Sequence, residues 1–150
     1  MCDYSLHCIK NRLASEGEVL VVHRFHTGSK GLTSPEYLKP GAPPENWIAA
    51  LKKLFAGQPE VCAVCIPDGA QLILDGISPA LRKVHHLGTL ERATFRQLSL
   101  HAHTYRDAIE FRNGAKIRIQ ELEEGQRVEV LSLSSQRQDV ETRTFIPARV

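Results

Sequence analysis

The sequence predicts a mainly β fold: a small barrel or sandwich of six to eight short, mostly antiparallel strands, with one amphipathic helix at about 45–56. Runs rich in β-branched residues, or alternating apolar with polar, recur along the chain and are separated by Gly, Pro, Asn and Asp. Only one stretch carries a clear helical period. The 150 residues show no shift in composition, and their apolar share of 42% is enough for one core, so a single β-rich domain over 1–150 is expected.

The first 17 residues are of mixed polarity and end at a Glu16-Gly17 turn. Residues 18–25, EVLVVHRF, predict a strand. Residues 26–46 contain three glycines and four prolines and are expected to form a long loop. The helix follows, with Asn46 as its N-cap and Trp47, Ala50, Leu51, Leu54 and Phe55 on one face, which is expected to cover the sheet. Lys52 and Lys53 lie towards its C-terminal end, where the helix dipole favours cations.

After Gly57 the period becomes two. VCAVCI, Pro67-Asp68-Gly69 and AQLILDGI together predict a hairpin. SPALRKVHHLGTLE is expected to hold a short helical turn, and ATFRQLSLHAH the next strand. DAIEFRNGAKIRIQ carries the strongest hairpin signal, with Asn113-Gly114 expected in a type I′ turn. RVEVLSL and TRTFIPARV complete the set of strands.

The net charge is +2, and lysines and arginines are interleaved with acids along the chain, which argues against a nucleic-acid partner. No apolar run approaches the ~20 residues of a membrane helix. The opening MCDYSLHCIK lacks the pattern of a secretory leader, so a cytoplasmic protein is expected. In that compartment Cys2, Cys8, Cys62 and Cys65 are expected as thiols, metal ligands or small buried residues rather than disulfides.

His101 and His103 are two apart, so in a strand both imidazoles project to one face, as a metal requires. Asp107 follows as a ligand or as a partner that orients an imidazole. Cys62 and Cys65 are three apart and face opposite sides of a strand, so at most one serves a site, and Cys65, near a strand end, is the better candidate. Removal of the initiator Met would leave the Cys2 thiol beside a free amine, a pairing that suits metal chelation or nucleophilic hydrolysis. His23 is expected half-buried in its strand, and His26 in a loop. His85 and His86 point apart if extended. The expected metal set is Cys2, Cys65, His101, His103 and Asp107, whose sulfur and nitrogen donors favour copper or zinc, with iron as a further choice.

The string His101, His103, Asp107 and Gly114 resembles the first metal motif of the cupin family over about 14 residues. It departs in having Asp for Glu and Phe95 where a glycine belongs, and the second cupin motif is absent. MCDYSL, with the later HTYRDAIEF and Glu124-Gly125-Gln126-Arg127, also resembles an uncharacterised bacterial protein family, which implies a cytosolic bacterial protein and no particular activity.

These residues lead to the expectation of a transition-metal-binding protein, with a small metal-dependent oxidoreductase acting on a small molecule as the activity such a site would offer. The alternatives are a non-catalytic β-domain binding a protein partner through 26–46 and the helix, and a hydrolase using Cys2 as its nucleophile.

Overall fold

The computed structural model describes residues 6, 8–39, 45–55, 60–98 and 105–134, so the end of the strand expected at 93–103, and all of that at 142–150, lie outside the described residues. In chain order the elements are β1 (Asn11–Leu13), β2 (Val19–Arg24), β3 (Lys30–Thr33), α1 (Trp47–Phe55), β4 (Ala63–Cys65) and β5 (Gln71–Asp75). Then come α2 (Pro79–His85), β6 (Leu90–Gln97), β7 (Asp107–Phe111), β8 (Lys116–Arg118) and β9 (Arg127–Ser132). The mainly β fold is as the sequence predicts.

Seven strands form one antiparallel sheet in the order β3-β2-β9-β5-β6-β7-β8 and curl into a half-barrel. Alternate residues turn inward: Leu20 and Val22, Leu72 and Leu74, Val128 and Val130 are at most 1% exposed. Gln120, in a short 3-10 turn after β8, bridges the two edge strands. Its carboxamide accepts from the Lys30 N–H (2.9 Å) and donates to the Lys30 carbonyl (2.7 Å), as a neighbouring strand would. The N–H and carbonyl of Lys30, where β3 begins, are thereby satisfied at the seam.

Four expectations need correction. Residues 26–46 are not all loop: β3 pairs with β2, and a 3-10 turn follows at Pro35–Leu38. Segment 61–77 is not a hairpin, because β4 pairs in parallel with β1. Its Pro67-Asp68-Gly69 turn instead feeds the Gly69 N–H to the Phe95 carbonyl (2.8 Å). The turn at Asn113-Gly114 is not type I′, since Asn113 lacks the positive φ that type requires while Gly114 has φ +86°. Gly114 N–H donates to Phe111 (2.9 Å), and the Phe111 N–H donates to Ala115 (2.8 Å), giving a three-residue loop with a glycine bulge.

The last correction concerns α1. Asn46 does cap it, its Oδ1 accepting from the Ala49 N–H at 2.8 Å. Yet Trp47, Leu54 and Phe55 are 72%, 79% and 86% exposed, so this apolar face does not cover the sheet. The physical reason lies in the sheet, whose curled inner face is already filled by its own side chains and whose outer face is polar.

Candidate functional site

Strand β4 lies between two apolar clusters. Val64 and Ile66 join the main core, whereas Val61 and Ala63 pack with Leu6, Ile9 and Phe25 in a smaller one. Alternation places Cys65 on the side of Ala63. The strand is fixed from both sides: Ala63 N–H donates to Lys10 (2.8 Å), Ala14 N–H donates to Cys65 (2.9 Å), and Thr33 Oγ1 donates to the Cys62 carbonyl (2.7 Å). Cys65 is buried and disulfide-bonded, against the expectation of a thiol, whereas Cys8 and Cys62 are free.

Asp107 opens β7, is 8% exposed and lies opposite Gln97 in the ladder. Gln97 Nε2 donates to Asp107 Oδ1 at 3.3 Å, and the Gln97 N–H donates to Asp68 Oδ1 at 2.8 Å. Asp68 stands three residues after Cys65, so Gln97, through its backbone N–H on one side and its side-chain amide on the other, links the turn beyond β4 to the carboxylate that begins β7. Asp107 is thus positioned by a donor, as a metal-binding or ligand-orienting carboxylate needs.

Cys2, His101 and His103 lie outside the described residues. Their described neighbours in the chain converge on the β2–β3 hairpin. A Cβ on Gly31 would stand 2.7 Å from Leu6 Cδ1 and 3.0 Å from Phe25 Cε2, so Gly31 is the space into which Leu6 packs. Tyr105 reaches the same hairpin, with its hydroxyl 3.3 Å from the buried Ser29 Oγ. The hairpin itself is closed by the Phe25 N–H donating to Ser29 at 2.9 Å, with Gly28 at φ +84°.

The His23 ring stands edge-on to Phe25, centroids 5.0 Å apart. Burial lowers its pKa below the usual imidazole value, opposed by the Glu124 carboxylate, so the ring is held towards its neutral form. His26 is exposed, and so is His86, which takes the left-handed conformation at the end of α2. Among the described residues no three His, Cys, Asp or Glu side chains are grouped to hold a metal.

Sequence reasoning missed Ser29, Gln97 and Tyr105, whose roles depend on contacts 76 and 10 residues away. It also missed the half-buried ion pair in which Arg12 donates to both Glu18 oxygens and, through Nε, to Tyr37 Oη at 3.1 Å. This pair lines a cavity of about 420 Å³ with Val19 and Ser34. Compared with known proteins, the chain matches no family model, no curated protein and no solved structure.

Proposed function

We propose that the protein binds one transition-metal ion, copper or zinc in preference to iron, beside the β2–β3 hairpin. Cys65 and Asp107 contribute from the described residues, and Cys2, His101 and His103 supply the remaining donors. The observation that carries this reading is the meeting of Leu6 and Tyr105 on one hairpin. A chain spans at most about 3.6 Å per residue, so Cys2 is tethered within about 14 Å of Leu6 and His103 within about 7 Å of Tyr105. Sulfur, imidazole and carboxylate donors in one neighbourhood suit these metals rather than magnesium or calcium. Ligation by Cys65 requires its thiolate, so the site loads in the reduced protein.

Elemental analysis of protein made in metal-replete medium and purified with a reductant tests the proposal. About one metal per chain is expected, falling to background in Cys65→Ser and His103→Ala while the folded signal by circular dichroism is kept. Asp107→Asn is expected to weaken metal retention about 10–100-fold. Reduced, folded wild-type protein without bound metal overturns it.

A further inference from the structure

The outward face of β5, β6 and β7 collects cations that are far apart in the chain. Arg92, Arg96 and Arg112 line one open cavity of about 610 Å³, with Glu110 as its one acidic residue. Glu110 is already engaged: Arg96 Nε donates to its Oε2 at 2.7 Å, and Lys116 Nζ stands 3.9 Å from its Oε1. Arg92 and Arg112 have no hydrogen-bond or ion-pair partner among the described residues. Arg112 opens the turn directly after Phe111, the last residue of β7, whose ladder partner is Ala93, the neighbour of Arg92, so the two arginines share one end of this face. Like charges gathered on one face repel one another, so folding alone gives no reason for this gathering.

The polar lining completes a donor surface. Gln71 Nε2 donates to Thr94 Oγ1 at 3.3 Å, which leaves the threonine hydroxyl proton to point elsewhere. Guanidinium groups present paired N–H donors that match a phosphate, and a cavity of this size is that of a small-molecule site. The one lining aromatic, Phe111, is 2% exposed and packs into the core, so the face offers no ring for stacking a nucleobase.

We propose that this face binds a phosphorylated small molecule, with Arg92 and Arg112 clamping the phosphate groups and Arg96 held in place by Glu110. Neither Cys65 nor Asp107 lines this cavity, and the proposal does not depend on the metal reading.

Calorimetric titration with inorganic pyrophosphate, at low salt and with EDTA present to remove metal ions, is the test. Wild-type protein is expected to bind. Arg92→Ala and Arg112→Ala are each expected to weaken binding about tenfold or more, with Arg→Lys between them and the wild type. Lys83→Ala on α2 serves as the control and is expected to change nothing. In the absence of anion, Arg112→Gln should raise the melting temperature, because it thins the cluster of like charges. The proposal is overturned by an absence of pyrophosphate binding in folded protein or by equal weakening in Lys83→Ala. Tighter binding of a single-stranded oligonucleotide through the same arginines would also overturn it, in favour of a nucleic-acid surface.

Discussion

The main core and the small cluster under the N-terminal segment are both apolar and both buried, but they are held differently. The main core takes residues from β2, β3, β5, β6, β7, β8 and β9, and ladder hydrogen bonds fix the backbone of each strand. The small cluster joins Leu6, Ile9, Phe25 and Ala63, and Leu6 belongs to no strand. Its local backbone bond runs from the Ile9 N–H to the Leu6 carbonyl at 3.0 Å, and packing against Phe25 and Gly31 does the rest. A segment held mainly by a few side-chain contacts opens more easily than one locked into a sheet.

Substitutions in the two clusters test that contrast directly. Phe95→Ala removes a fully enclosed ring from the main core and is expected to cost about 3–5 kcal/mol in denaturant unfolding. Leu6→Ala is expected to cost about 2 kcal/mol, because the N-terminal segment can relax around the lost side chain. Hydrogen exchange should then show opening confined to the small cluster. Equal losses for the two variants would break the distinction between the regions.

Electrostatics sharpen the comparison at the next level. Glu18→Gln breaks the pair with Arg12 and is expected to cost about 1 kcal/mol at neutral pH, a modest figure because the Arg12 side chain is 34% exposed. The hydrogen bond from Arg12 holds the Glu18 carboxyl below its usual value near 4.5, so the folded protein binds its proton less readily than the unfolded chain. That stabilisation is full above pH about 4.5 and disappears as the pH falls through the lower folded value. Urea titrations of wild type and Glu18→Gln should therefore converge at acid pH. The smallest expected effect is in Asn113→Ala, about 0.5–1 kcal/mol. It loses the Nδ2 donation to the His85 carbonyl (2.9 Å), which ties the β7–β8 turn to α2, without touching either cluster.

Much of the strand set was legible. The segments read at 18–25, 70–77, 107–120 and 127–133 contain β2, β5, β7 with β8, and β9. β3 was hidden because Gly28 and Gly31 read as breakers. In the fold Gly28 makes the hairpin turn, and Gly31 leaves room for Leu6. The start of α1 was readable from Asn46, but its surroundings were not: an apolar helix face says that something covers it, not which surface does. Of the candidate site, Asp107 at a strand start and Cys65 on a buried strand followed from local pattern. The bridge that Gln97 makes, with its backbone N–H on Asp68 and its side chain on Asp107, did not, because no local period connects positions 68, 97 and 107.

By itself the sequence determined the mainly β class, the inward and outward alternation of the strands and the cap of α1. Each of these is set by residues within a few positions of one another. Only the tertiary structure decided that β9 lies between β2 and β5, and that β4 pairs with β1. It also brought Arg92, Arg96 and Arg112, scattered among acids in the chain, to one cationic face. The entropy of closing a loop grows slowly with its length, so distant partners compete almost evenly with near ones. Which pairing wins is settled by burying the whole inner face at once, and no short stretch of sequence records that.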